Sequence, residues 1–277
     1  MAVNYSSKEL IFAKRNAISK FYPSSNKYIY KVIAKILDFY FTINVKLVNL
    51  KKYIFKVFEK NIYFIKLTEE QIVFNFNQKN FTDFSINNWC FIKNFLDQRS
   101  WQIIKDSWPS NNNFFLNKSP MKHYYVHKII YSEKDINKLK NENIKIFSRL
   151  LLTKNFSNLI NQIANDRNNY NLNNIVYSIA NYKSYLIPHI DSVSKKMNYH
   201  KTLNFIFFVE GNDQCIEYSG GTGIYRDSEF NDPIFIPTTL NNSCLIYDSS
   251  ENFFHGFKKM GPNGYRKAIT FSFMSNK

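Results

Sequence analysis

The chain has 277 residues, 44% of them apolar and 18% aromatic, and carries a formal net charge of +16. That much apolar content excludes a disordered chain, and the length allows one large domain or a domain with an extension. The charge is uneven, because residues 1–66 hold 13 Lys and Arg against 3 Asp and Glu, so a solvated lysine face in the N-terminal quarter accounts for most of it.

After Pro23-Ser24-Ser25, apolar residues recur at Ile29, Val32, Ile33, Ile36, Leu37 and Tyr40, with Lys27, Lys31, Lys35 and Asp38 opposite. This spacing predicts an amphipathic helix with a serine as cap. Residues 1–75 as a whole read as a basic helical extension and residues 76–277 as the main domain. From Asn87 to Asp106, Trp89, Ile92, Leu96 and Ile103 share one helical face, and Trp108-Pro109 ends the run. Tyr124 to Tyr131 is aromatic and β-branched, which predicts a strand. Phe156, Leu159, Ile160 and Ile163 predict a further helix that stops in the asparagine cluster 168–174.

Beyond that cluster the texture changes. Short apolar segments at 175–180, 185–190, 203–209, 223–225, 234–236, 243–247 and 266–274 are mostly bounded by Gly, Pro, Asn, Asp or Ser. Repeated short strands with turn punctuation predict an antiparallel sandwich or barrel, and helices followed by strands give an α+β order.

Within this half, Ser184–Asp191 places His189 and Asp191 two residues apart. On an extended segment they project from the same side and can occupy adjacent positions on one metal ion. His255, beside Gly256 and after an apolar strand, is the candidate third ligand. Two imidazoles and one carboxylate on one face of an ion leave its other positions open, which suits non-haem Fe(II). On the last strand Arg266, Ala268, Thr270 and Ser272 share a face, with Lys267, Ile269, Phe271 and Phe273 on the other. An inward arginine needs an anion, and a dicarboxylate that chelates the metal at one end could present its second carboxylate there.

Taken in order, Ser184–Asp191, Gly220-Gly221-Thr222-Gly223, Cys244–Asp248, Glu251–Gly256 and Arg266–Phe273 resemble the Fe(II)/2-oxoglutarate-dependent oxygenases, prolyl 4-hydroxylase-like superfamily. The resemblance covers residues 85–275. It implies a double-stranded β-helix (jelly-roll) core at about 175–275, with buttressing helices. It also implies Fe(II) on His189, Asp191 and His255, and 2-oxoglutarate with its distal carboxylate on Arg266. Tyr182 lies near where the family often places a tyrosine that contacts 2-oxoglutarate. Many relatives have a serine two residues after the arginine. Here that residue is Ala268, and Thr270 is the candidate substitute. The implied activity is hydroxylation of an unactivated C–H with O2, releasing succinate and CO2. The carboxylate of Asp191 favours hydroxylation over halogenation, because halogenating relatives lack it.

Two further readings start from the same residues. A nucleic-acid demethylase of the superfamily would use the basic charge, but such enzymes generally carry another arginine on the last strand, and Arg266 is the final one. A non-catalytic jelly-roll binding module would keep the fold and lose the triad. A small-molecule or peptide substrate is expected, with no nucleic acid. His123 and His127 sit in a strand pattern and read as structural, and His200 as part of a polar loop. Gly220–Gly223 lacks the helix and lysine of a phosphate loop and reads as a tight entry into a strand. Three cysteines without metal-like spacing, no signal-like N-terminus and no bilayer-length apolar run make a cytoplasmic protein without transmembrane segments the simplest expectation.

Overall fold

The structure is a computed structural model that describes residues 72–127, 129–165, 170–191, 199–249 and 253–276, without the side chains of 199–201, 215, 217 and 276. The amphipathic helix expected at 29–40, and all of the basic extension up to residue 71, lie outside the described residues. Residues 72–75 join the main domain: Ile72 is buried in its core, and Phe74 bridges Leu96.

Helix α1 (Gln78–Asn87) starts at Asn77, whose side chain accepts from the Asn80 amide while the Asn80 side chain returns the bond. It ends at Asn88 in the left-handed region (φ 61). The segment expected to continue as helix to residue 106 instead forms strand β1 (Trp89–Lys93) and then α2 (Gln98–Asp106). Asn88, which ends α1, and Asn94 (φ 53), which follows β1, both adopt the left-handed conformation that asparagine tolerates and that a continuous helix does not. Between them burial alternates, with Cys90 and Ile92 inward and Trp89 and Phe91 on the other face. The inward residues of α2 are Ser100 and Ile104, not Ile103.

Strands β2 (Phe115–Ser119) and β3 (Lys122–Val126) form a hairpin. The strand expected at 124–131 therefore begins earlier and ends at Val126, with Ile130 contributing an isolated bridge to Ile175. Helices α3 (Glu133–Ile136), α4 (Glu142–Leu150) and α5 (Lys154–Ala164) follow. The α5 face of Phe156, Ile160 and Ile163 is buried as its spacing predicts.

The rest is strand: β4 (Tyr170–Asn181), β5 (Tyr185–His189), β6 (Tyr199–Gly211), β7 (Gly223–Tyr225), β8 (Pro233–Phe235), β9 (Ser243–Asp248), β10 (Phe254–Phe257) and β11 (Tyr265–Asn276). β4 starts inside the asparagine cluster that read as a helix stop, and β6 takes up Tyr199–Lys201 from the expected polar loop. Hydrogen bonding runs β1-β9-β6-β11-β4-β3-β5-β10-β7-β8, with every pairing antiparallel. β3 is the seam: Tyr125 and Val126 pair with β4, while Lys122 and His123 pair with β5. The sheet thus curls on itself into a double-stranded β-helix, with β1, β9, β6, β11 and β4 facing β5, β10, β7 and β8.

The two faces of β11 divide the protein. Ile269, Phe271 and Phe273 point to the helical layer and pack with Phe95, Phe147, Phe156, Phe205 and Phe207. Each fully buried side chain of this kind contributes about 1.5–3 kcal/mol, so this layer fixes the sheet that carries the site. Arg266, Ala268, Thr270 and Ser272 point the other way, into the space between the two half-sheets. No helix among the described residues is long and apolar enough to cross a membrane.

Candidate metal centre and anion pocket

His189 closes β5 and is the register partner of His255 on β10. The imidazole centroids are 4.3 Å apart. Gly256 makes this approach possible, because a Cβ there would lie 2.5 Å from the Leu186 carbonyl oxygen and 2.8 Å from the Pro188 nitrogen. Asp191 follows two residues after His189 and reaches both rings, with Oδ1 3.6 Å from His189 Nε2 and Oδ2 3.7 Å from His255 Nε2. The three side chains offer ligand atoms that all lie within 4.8 Å of one another.

This donor set fits a divalent ion. Two donors sharing an ion through bonds of ~2.1 Å lie no more than about 4.2 Å apart; each imidazole Nε2 meets that limit toward its own oxygen of Asp191, and the three ligand atoms together lie within 4.8 Å. The Ile187 carbonyl oxygen lies 2.9 Å from His189 Nδ1. A carbonyl only accepts, so the proton sits on Nδ1 and leaves the Nε2 lone pair facing Asp191. Burial, with the neighbouring His189 adding to it and Asp191 opposing, pushes the pKa of His255 down to about 3. That ring is therefore neutral at neutral pH, the form that ligates. Its Nδ1 is buried with no hydrogen-bond partner among the described residues.

Asn204 on β6 holds the carboxylate from behind. Its amide nitrogen donates to Asp191 Oδ2 at 2.9 Å and to the Tyr247 phenol oxygen at 3.2 Å. Asn204 and Tyr247 are cross-strand partners on β6 and β9, so the clamp is set by strand register.

Arg266 lies at the other end of the same space. It is buried at 4% exposure, and its Nη1 donates to the Gly220 carbonyl oxygen and, at 2.8 Å, to Thr222 Oγ1. The guanidinium carbon stands 4.4 Å from the Phe257 ring centroid and 5.7 Å from that of Phe208. Nε is buried without a hydrogen-bond partner, and no ion pair of Arg266 occurs among the described residues. Burial brings its pKa down to about 10, with Tyr124 opposing, so the group stays charged. A buried, unneutralised guanidinium is a seat for an anion. Gly220–Gly223 forms part of that seat: Gly220 has φ +85, and its Cβ would meet Met260 at 3.0 Å and Arg266 Cδ at 3.6 Å.

One cavity of about 260 Å3 connects the two ends and is lined by His189, Asp191, His255, Arg266 and Thr270. Tyr182, expected here, is not among its lining residues. It is 52% exposed in the turn after β4, with the Lys183 ammonium 5.0 Å from its ring centroid. The turn carries it away from the interior, and Tyr124 on β3 takes an inward place. Lys267 points to the opposite face and pairs with Glu210 at 2.9 Å, which separates it from Arg266. Ala268 is buried against an apolar cluster with Ile206 and Phe208. His123 and His127 pack against Tyr185 and Phe114 respectively, away from the triad. The sequence reading missed Lys122, Tyr124, Thr222 and Asn204 as cavity residues. Alternation along β3 puts Lys122 and Tyr124 on one face, but that signal needs the strand to start at residue 122.

The sequence matches no family model. It matches no curated protein either. The fold does match solved structures. A prolyl-4-hydroxylase from Pseudomonas putida superposes with a TM-score of 0.51 at 9% identity, covering 72% of this chain and 98% of that one. A 2OG-Fe(II) oxygenase family oxidoreductase from Burkholderia pseudomallei gives 0.51 at 10% identity, over 74% and 95%. A prolyl hydroxylase from Trichoplax adhaerens, in complex with a hypoxia inducible factor peptide fragment, gives 0.50 at 16% identity, over 72% and 91%. The chain shares the fold of these oxygenases.

Proposed function

We propose that the chain is an Fe(II)- and 2-oxoglutarate-dependent oxygenase that hydroxylates an unactivated C–H of a small-molecule or peptide-like substrate. The observation that carries this reading is the pairing, in one cavity, of a His-Asp-His donor set with a buried arginine that lacks an anion. Bound Fe(II), 2-oxoglutarate and O2 would supply the oxidising chemistry, with succinate and CO2 as co-products.

The chain's own residues provide geometry. His189, Asp191 and His255 would hold the ion through two imidazole nitrogens and one carboxylate, and the cavity they line would admit its further ligands. The Ile187 carbonyl and the Asn204 amide fix the orientation of two of these ligands. Arg266 takes the distal carboxylate of 2-oxoglutarate, and Phe208 and Phe257 keep water from the guanidinium, which strengthens that pairing. The Thr270 hydroxyl lies on the same strand face, where it can donate to the co-substrate. The oxygenase fold supports the reading. The test is succinate formation from 2-oxoglutarate by the purified full chain with Fe(II): turnover in the wild type and none in His189→Ala or Asp191→Ala is expected, and neither turnover nor iron uptake in the wild type would overturn it.

A further inference from the structure

The triad and Arg266 leave one charged residue of the cavity without a role. Lys122 lies on β3 opposite Leu186 of β5, three residues before His189, and its side chain lines the same cavity. It is partly buried, and no ion pair of Lys122 occurs among the described residues. Burial lowers its pKa while the field of Asp191 raises it, whereas Tyr124, on the same face of β3, feels Arg266 as well as Asp191. In the sheet Lys122 is level with Leu186 of β5, on the strand that ends at His189, whereas Tyr124 packs against the cluster of Ala180, the register partner of Arg266.

Charge balance gives Lys122 its meaning. Among the described lining residues, Lys122 and Arg266 are positive, Asp191 is negative and both imidazoles serve as neutral ligands. A divalent ion and a ketoacid dianion cancel each other. Counted over the described residues, the loaded cavity therefore keeps one unneutralised positive charge, the ammonium of Lys122.

The opposite wall adds neutral hydrogen-bonding groups. Asn173 Nδ2 donates to Ser272 Oγ at 3.1 Å, and Asn174 lies beside Ser272 as its register partner. Thr202 Oγ1 is buried without a partner among the described residues and lines the same space. Ser272 is six residues from Arg266 along β11, ~20 Å at the rise of an extended strand, and is level with Asn204, the residue that clamps Asp191. This shelf of amides and hydroxyls therefore begins level with the triad and lies well away from the arginine.

We propose that the primary substrate is a small polar molecule bearing an oxyanion, a carboxylate or a phosphate, which pairs with Lys122 while its neutral polar groups bond the Asn173–Asn174–Ser272 shelf. This rests on the oxygenase reading of the same cavity. The test loads the full chain with Mn(II) and 2-oxoglutarate and titrates matched probes by calorimetry: D-gluconate against D-glucitol, and D-glucose 6-phosphate against D-glucose. At least one anion is expected to bind ten-fold or more tightly than its neutral partner, and the pair that responds identifies carboxylate or phosphate. That preference disappears in Lys122→Met and persists in Lys122→Arg, with 2-oxoglutarate affinity within two-fold in all three proteins. Equal or absent binding of anion and neutral partner overturns the proposal, as does a ten-fold loss of 2-oxoglutarate affinity in Lys122→Met, which would make Lys122 part of the ketoacid seat. A wild-type chain that takes up neither Mn(II) nor 2-oxoglutarate overturns the oxygenase reading and this one together, at the first titration and before any probe is added.

Discussion

Asn204 donates one amide hydrogen bond, 2.9 Å long, to the Oδ2 atom of Asp191, the oxygen that faces His255. A carboxylate two residues beyond a strand end has several rotamers available, and this bond selects the one that meets both imidazoles. Asn204→Ala is expected to weaken Mn(II) binding about 10–100-fold, measured by titration calorimetry, with the far-ultraviolet dichroism unchanged. Unaltered metal affinity would show that Asp191 is held by other groups.

Arg266 separates stability from function. Replacing a buried, unpaired charge by an apolar residue of similar length is commonly neutral or stabilising, while removing one partner of a buried pair costs about 3–5 kcal/mol. Arg266→Met is therefore expected to keep or raise the urea midpoint of the ligand-free protein. The same variant should lose about 100-fold or more in 2-oxoglutarate affinity and retain Mn(II) binding. A variant that unfolds but, where folded, binds the ketoacid normally would assign Arg266 a purely structural role.

Gly256 sets the spacing of the two imidazole-bearing strands. The atoms that a new Cβ would strike are the Leu186 oxygen and the Pro188 nitrogen and Cα. These are backbone, so they cannot swing aside. Gly256→Ala is expected to lower stability by about 1–3 kcal/mol and to weaken Mn(II) binding, because β10 must move away from β5 and take His255 with it. Chemical denaturation and metal titration on the same preparation test both effects.

His255 confers a pH dependence on the metal-free protein. Its folded value of about 3 lies below the ordinary imidazole value of 6.5. Between those limits the unfolded chain binds a proton that the folded chain refuses, so stability rises with pH across the window and is lost on acidification. The contribution is at most about 1.4 kcal/mol per pH unit. Urea midpoints between pH 7 and 5 should fall more steeply in the wild type than in His255→Gln, and parallel slopes would contradict the assignment.

Much of this site is legible in the chain because strands expose their logic at a period of two. His189 and Asp191 share a side, and so do Arg266, Thr270 and Ser272, whichever partners the strand finds. Asn204 was hidden: an asparagine inside the apolar run of β6 carries no local sign that a carboxylate lies opposite it. Tyr182 misled because proximity along the chain to His189 does not place a turn residue indoors. The helix expected at 87–106 failed for a local reason, since Trp89 and Ile92 satisfy a helical spacing while two left-handed asparagines on either side enforce a strand. The seam strand β3, which supplies Lys122 and Tyr124, pairs with partners more than fifty residues away, and no short window of sequence contains that pairing.

The guanidinium bonded to the Gly220 carbonyl and Thr222 is only 4% exposed, whereas Asp191 and His189, toward the other end of the cavity, retain 32% and 21% side-chain exposure. A molecule that reaches Arg266 from the more exposed end passes the triad first, and one that later settles beside the triad stands in its way out. Arrival would then be compulsory in order, and a tightly held second guest would slow the escape of the first.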